Sequence, residues 1–85
     1  ISGWDVSSAT NMRNMFAFAS SFDIDIGSWN VSNVTDMSNM FQDADIFNKD
    51  LSSWCVDNFV SEPFAFSLNS ALTEANKPVW GTCPP

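Results

Sequence analysis

Carboxylates are the most abundant side chains in this sequence that are able to do chemistry. The 85 residues include ten Asp and Glu, three Lys and Arg and no His, which gives a net charge of −7. Without His the chain lacks the commonest general base and metal ligand, and two Cys alone cannot build a structural zinc site. We therefore expect no catalytic residue, no enzymatic activity and no cofactor.

The acidic residues offer one candidate metal site. Asp25 and Asp50 occupy equal positions of an internal repeat, and stacked carboxylates supply the hard oxygen ligands that Ca²⁺ prefers. No spacing here matches a known calcium loop. Two interpretations stay open: a calcium site at Asp25 and Asp50, or turn and cap residues on an acidic surface.

The sequence contains two cysteines, Cys55 directly after a tryptophan and Cys83 close to the C-terminal end. We predict a disulfide that ties the C-terminal tail to the body of the protein, and hence an oxidising compartment. A reactive pair and two free buried thiols are the alternatives. Neither cysteine has a cationic neighbour or a C-x-x-C spacing, which disfavours the reactive pair.

The charge and hydropathy of the chain exclude several partners. A strongly acidic chain with three basic residues does not suit nucleic acid or an anionic membrane surface. No apolar run approaches the length of a transmembrane helix. We expect neither nucleic-acid binding nor membrane insertion.

An internal repeat must position all of these side chains. Tryptophans recur at Trp4, Trp29 and Trp54, and residues 1–25 align with residues 26–50 without a gap, with 12 of 25 positions identical. Repeats of this length each form one structural unit that buries its apolar face against its neighbours.

Each repeat shows two apolar periods. Trp29 and Val31 alternate with polar residues, as in a strand, whereas Met37, Met40 and Phe41 follow helical spacing. The pattern predicts an α/β fold: a short right-handed solenoid related to leucine-rich repeats, with one short parallel strand and one short helix per 25-residue coil. Tryptophans are expected to point inward; a surface Trp ladder that binds sugar is the alternative.

The repeat decays toward the C-terminus. We predict one structural domain, with two repeats and the start of a third in residues 1–55 and a divergent, disulfide-stapled capping unit in residues 56–85. The third unit keeps Trp54 and Phe66 and replaces the two Met by Glu62 and Ala65. Short helices are expected after Ser61 and up to Asn76.

The stretches WDVSSATNMRNMF and IGSWNVSNVTDMSNMF resemble the 25-residue repeats of BspA-like bacterial surface proteins, which are related to leucine-rich repeats. The resemblance covers residues 1 to about 56 and implies a secreted or cell-surface protein in adhesion. It implies no enzymatic activity and supplies no ligand site.

Two surfaces are candidates for binding. The outward sheet face is expected to offer small polar groups to a peptide or glycan, or else to be solvated; its residues are Asp5, Ser7, Asn30, Ser32, Asn33 and Asp57. The upstream edge of the first repeat has no capping segment before it and is formed by Ile1, Trp4, Met12 and Phe16. This bare edge suggests the C-terminal end of a longer array.

These features predict a non-catalytic extracellular module for adhesion or for protein or glycan interaction. The alternative is a structural subunit of an extracellular filament or assembly that stacks through its uncapped first edge. Expected partners are a surface protein or glycan, further copies of the chain, or upstream repeats.

Overall fold

Tight turns, and not helices or strands, make up this protein. The structure, a computed structural model, describes residues 1 and 3–84. Within them the regular secondary structure is the short 3₁₀ helix Glu74–Asn76 and an isolated parallel bridge between Asn11 and Asp36. The predicted α/β solenoid with a strand and a helix in each coil is therefore wrong.

The segment predicted to be helical is a chain of consecutive turns. In each turn a backbone N–H donates to the carbonyl three residues earlier, and the same series recurs in both repeats. The bonds are Met15 to Met12, Ala17 to Asn14, Ala19 to Phe16 and Phe22 to Ala19, followed by Met40 to Met37, Gln42 to Asn39, Ala44 to Phe41 and Phe47 to Ala44.

Left-handed residues prevent an α-helix here. Asn14 and Phe18 have φ of 60° and 61°, and Asn39 and Asp43 have 60° and 56° at the equivalent positions. A left-handed residue every four positions interrupts a right-handed helix, and Asn and Asp adopt this conformation more readily than most residues. The apolar spacing of three and four residues was helical in appearance only, because a series of turns has a similar period.

The predicted strand is also replaced by turns. The N–H groups of Trp29 and Val34 bond to the carbonyls of Ile26 and Val31, three residues earlier. The inward placement of the tryptophans is nevertheless confirmed for the second and third units, since Trp29 and Trp54 are both buried.

Backbone hydrogen bonds between repeats hold the turns together. N–H groups of the first repeat donate to carbonyls of the second repeat. Each acceptor is the residue just before the one equivalent to the donor: Met12 bonds to Asp36, Asn14 to Ser38, Phe16 to Met40 and Phe18 to Gln42. The second repeat bonds the third unit in a similar way: Asn39 to Phe64, Phe41 to Phe66 and Asp43 to Leu68. We call these two parallel rows the turn ladder.

The third unit contains one additional residue. In the ladder between the second repeat and the third unit, each acceptor carbonyl lies a full repeat length after its donor, one position further than between the first and second repeats. The turn in which the Phe66 N–H bonds to the Pro63 carbonyl is equivalent to the turn from Met40 to Met37. Pro63 and Phe66 therefore occupy the two Met positions, and the assignment of these positions to Glu62 and Ala65 is wrong. The interval from Trp54 to Trp80 likewise exceeds the interval between earlier tryptophans by one position.

An aromatic column fills the space between the turns. The Phe41 ring is fully buried, and its centroid lies 5.6 Å from Phe16, 4.6 Å from Phe47, 6.4 Å from Trp54 and 5.3 Å from Phe66. It thus joins all three units. Aromatic side chains at these distances contribute both buried area and favourable ring contacts.

The C-terminal tail closes over the third unit. Trp80 packs edge-on against Phe59 and Phe66 at 5.6 and 4.8 Å. The Val56 N–H donates to the Thr82 carbonyl at 2.9 Å. The two helices predicted in this region are wrong apart from the single turn Glu74–Asn76.

Replacing Phe41 by Ala should remove the contact that joins the three units. We expect Phe41→Ala to lower the free energy of unfolding by about 3–5 kcal/mol, because a large buried ring is lost and a cavity remains. Urea titration followed by tryptophan fluorescence measures this change.

Phe64→Ala is the matched control. The Phe64 side chain is exposed, so the same truncation should change stability by less than about 0.5 kcal/mol. Equal losses in the two variants would show that Phe41 does not occupy the core.

Candidate functional site

Most of the polar residues predicted to face a ligand are engaged in their own turns. Asp5 Oδ1 accepts hydrogen bonds from the Ser7 N–H at 3.0 Å and the Ser7 hydroxyl at 2.6 Å. Asn30 Oδ1 accepts the same pair from Ser32, at 3.1 and 2.6 Å. These are Asx turns, in which the side chain satisfies the backbone two residues on.

The asparagine side chains of this face connect neighbouring repeats. Asn33 Nδ2 donates to the Ser7 carbonyl at 2.7 Å, and Asn58 Nδ2 donates to the Ser32 carbonyl at 2.7 Å. Asn33 is therefore a structural cross-link, and Asn58 is its equivalent one unit later. Their common position in successive repeats was visible in the sequence.

The predicted disulfide between Cys55 and Cys83 is confirmed. Asp57 lies beside it, with Oδ1 3.6 Å from Cys55 Sγ; a disulfide sulfur carries no proton, so this is a contact and not a hydrogen bond. In the described part of the chain these three residues form the one group whose ligand atoms lie within 4.8 Å of each other. With both sulfurs bonded to each other, a single carboxylate is left to bind a metal.

Asp25 and Asp50, the calcium candidates, are exposed and equivalent in structure. Each Oδ1 accepts a backbone N–H two residues later, from Gly27 at 3.0 Å and from Ser52 at 2.9 Å. A Cβ on Gly27 would lie 2.5 Å from the Asp50 carbonyl oxygen, so this turn packs closely on the next unit. Calcium binding at these residues stays a prediction.

The Asx turns also shift the pKa of their carboxylates. The pKa values of Asp5, Asp36 and Asp50 are lowered, because the serine two residues later donates hydrogen bonds that favour the charged form. For Asp5 the serine hydroxyl is the largest cause of the lowered pKa, and for Asp36 it is the backbone N–H.

The upstream edge of the first repeat is exposed and apolar. Trp4 is 56% exposed, whereas the equivalent Trp29 is 5% exposed. Ile1 and Met15 are 45% and 38% exposed, and their equivalents in the second repeat are fully buried. We call Ile1, Trp4 and Met15 the open edge.

The open edge differs in part from the predicted one. Met12 and Phe16, which were assigned to the edge, are buried, whereas Met15 was missed. A helical face would have placed Met12 and Met15 side by side. In a series of turns the two side chains diverge, and the sequence carried no signal for this.

The tryptophan indoles show what the open edge lacks. Trp54 Nε1 donates to the Ile26 carbonyl at 3.1 Å, and Trp29 Nε1 donates to the Ile1 carbonyl at 3.3 Å. Each indole thus bonds to the preceding repeat. In residues 1 and 3–84 no acceptor lies against the Trp4 indole.

A shallow depression of about 420 Å³ lies at the opposite end of the stack. Its lining includes Ala65, Ser67, Leu68 and Lys77. The Lys77 ammonium contacts Glu74 at 2.8 Å and Glu62 at 3.1 Å. Burial lowers the Lys77 pKa, but the two carboxylates outweigh this effect and the net pKa is raised.

These features define a disulfide-linked stack of turn repeats with an open apolar edge. The chain belongs to the family described as Mycoplasma protein of unknown function, DUF285, which it matches over residues 1–80. The expected membership among BspA-like, leucine-rich-repeat-related proteins is therefore wrong. Searches of curated proteins and of solved structures found no match to the chain. None of the helices in the described residues has the length and apolar character needed to cross a membrane.

Acidification should weaken the Asx turns. A carboxylate whose folded pKa lies below the unfolded value of about 3.9 contributes stability above that value and loses it as the pH falls through the folded pKa. In the variant with Asp5→Asn, Asp36→Asn and Asp50→Asn the turn acceptors remain but cannot be protonated. We therefore expect the triple variant to lose less stability than the parent between pH 5 and pH 2, in urea titrations at each pH.

The control variant carries Asp23→Asn, Asp45→Asn and Asp57→Asn, which change the charge equally. None of these three accepts a backbone N–H among the described residues. If both variants flatten the pH profile equally, net charge and not the Asx turns governs acid stability.

Proposed function

We propose that this chain is a non-catalytic, extracellular interaction module that binds a protein partner through its open edge. The observation that carries the proposal is the contrast between equivalent residues in successive repeats. Trp29 and Met40 are covered by the repeat before them, whereas Trp4 and Met15 present the same apolar groups uncovered.

Apolar anchors are what an interface needs for affinity. Trp is among the residues that contribute most to binding at protein interfaces, and its indole N–H adds a directional hydrogen bond. Trp4 offers both, since its ring is exposed and its indole has no acceptor in the described chain. A partner with a carbonyl beside an apolar surface would accept the hydrogen bond of the Trp4 indole and would cover its ring.

The polar outward face has less to offer a ligand. Asp5 and Asn30 already accept two hydrogen bonds each within their turns, and Asn33 bonds to the neighbouring repeat. A ligand would have to compete with these bonds. For this reason we place the binding surface on the open edge and not on the polar face.

The disulfide supports an extracellular location. Cys55 and Cys83 close a loop with a sequence separation of 28, and bonds of this kind form and persist in oxidising compartments. Closure of a loop of this size stabilises the fold by roughly 3–4 kcal/mol on chain-entropy grounds. That is a large share of the stability of so small a domain.

The test is a binding screen with surface variants. The purified chain is passed over immobilised extracellular matrix proteins and over a printed glycan array, and the same panel is repeated with Trp4→Ala and Asn30→Ala. We expect binding to a protein of the panel that falls at least about tenfold in Trp4→Ala and is unchanged in Asn30→Ala.

The opposite pattern, with binding lost in Asn30→Ala and kept in Trp4→Ala, would contradict the proposal. So would the absence of any binding to the panel combined with the absence of self-association. Thermal unfolding of each variant shows whether it remains folded.

A further inference from the structure

The third unit carries metal-ligating residues where the second repeat has a hydrogen-bonded pair. In the second repeat Asn30 closes an Asx turn on the serine two residues later, and the Ser32 hydroxyl lies 2.6 Å from Asn30 Oδ1. The repeat thus holds the side chains of these two positions in contact. The equivalent residues of the third unit are Cys55 and Asp57, and Cys55 Sγ lies 3.6 Å from Asp57 Oδ1.

The C-terminal tail adds a third ligand atom to this pair. Cys83 Sγ is bonded to Cys55 Sγ, and both sulfurs lie within 4.8 Å of a carboxylate oxygen of Asp57. Asp57 and Cys83 are exposed, and Cys55 is half-buried. Soluble reductants and metal ions therefore have access to all three side chains. We call Cys55, Asp57 and Cys83 the Cys–Asp cluster.

We propose that the Cys–Asp cluster of the reduced chain binds Zn²⁺ and that the disulfide closes this site. Thiolates and carboxylates are both ordinary zinc ligands. A dithiol reductant transfers two electrons to the disulfide, which leaves two thiols on the chain and one disulfide on the reductant. Zn²⁺ then binds both sulfurs and displaces their two protons to the solvent.

The geometry of the cluster is close to that of a zinc site. With Zn–S of about 2.3 Å and Zn–O of about 2.1 Å, a sulfur and an oxygen ligand of a tetrahedral ion lie about 3.6 Å apart. Cys55 Sγ and Asp57 Oδ1 have this separation. The two sulfurs have to move apart to about 3.8 Å once the bond between them is broken.

Contacts other than the disulfide position Cys83. The Val56 N–H donates to the carbonyl of Thr82, the residue before Cys83, at 2.9 Å. The Trp80 ring packs edge-on against two aromatic rings of the third unit at 5.6 and 4.8 Å. Because none of these contacts involves sulfur, they hold the tail against the third unit when the disulfide is reduced.

The exposure and charge of the cluster define what kind of site it is. Three protein ligands leave the fourth position of a tetrahedral ion to water, as in zinc sites that exchange ligands. The net charge of −7 on the chain favours the approach of a cation. The cluster contains no residue of the open edge, so the site is independent of the proposed function.

The experiment titrates the reduced full chain with Co²⁺, whose visible absorption bands report tetrahedral thiolate coordination. The chain is reduced with a phosphine and desalted without oxygen. We expect one equivalent of Co²⁺ to produce these bands and Zn²⁺ to abolish them by displacement. The oxidised chain should produce none, and equal Co²⁺ binding by the oxidised chain would assign the ion to the acidic surface and overturn the proposal.

Asp57→Asn tests the carboxylate ligand. The variant keeps the shape of the side chain and removes its charge, so it should weaken Co²⁺ binding at least about tenfold. Asp45→Asn is the matched control, because Asp45 is an exposed carboxylate of the second repeat and does not belong to the cluster. Equal affinity of the two variants would reduce the site to chelation by two cysteines and would overturn the three-ligand site.

Tryptophan fluorescence of the reduced chain shows whether the tail stays packed. A reduced chain that is folded and binds Co²⁺, or one that folds when Zn²⁺ is added, supports the site. A reduced chain that stays unfolded in excess Zn²⁺ overturns it, and so does a folded reduced chain that gives no Co²⁺ bands.

Metal and disulfide should also exclude each other in kinetics. Sulfurs bound to Zn²⁺ are withdrawn from the thiol–disulfide exchange that closes the bond, so we expect one equivalent of Zn²⁺ to slow reoxidation of the parent by glutathione disulfide at least about tenfold. Alkylation of the remaining thiols followed by mass spectrometry measures the rate. The slowing should be lost in Asp57→Asn and kept in Asp45→Asn, and an unchanged rate in the parent would contradict the proposal.

Discussion

The backbone hydrogen bonds between repeats are the interaction on which this structure depends. A chain made of tight turns satisfies only part of its N–H and C=O groups locally, and buried groups without a partner cost free energy. In this protein many of the remaining groups are paired about one repeat length away, in the turn ladder. A repeat is therefore incomplete without its neighbours, and the period of the sequence is the period at which this pairing recurs.

The core and the polar face follow from the same stacking. Equivalent rings come into contact when repeats stack, as Phe16 and Phe41 do at 5.6 Å and Phe22 and Phe47 do at 5.2 Å. Equivalent asparagines become cross-links, and equivalent aspartates close turns. Within the described residues the open edge is the side of the first repeat that no other repeat covers.

Much of the packing was predictable from the sequence, but the backbone conformation was not. The spacing of Trp4, Trp29 and Trp54 indicated the repeat and the burial of the last two, and the two cysteines indicated the disulfide. The helix was wrong because apolar periods of three and four residues do not distinguish a helix from a series of turns. The left-handed conformations of Asn14 and Asn39 make this segment a series of turns and not a helix. The sequence could not show this, because asparagine is compatible with a helix and with a turn. Met15 was missed for the same reason, and the similarity to leucine-rich repeats carried the error into the fold class.

Hydrogen exchange of the backbone amides, measured by NMR on a dilute sample, tests the turn ladder most directly. We expect slow exchange for the N–H groups of Met12, Asn14, Phe16, Asn39 and Phe41, which donate between repeats. We expect fast exchange for Ala65, Ser67 and Asn69, which have no acceptor in the described chain. Slow exchange of Ala65, Ser67 and Asn69 to the same degree as the equivalent donors Asn39 and Phe41 would contradict the turn ladder.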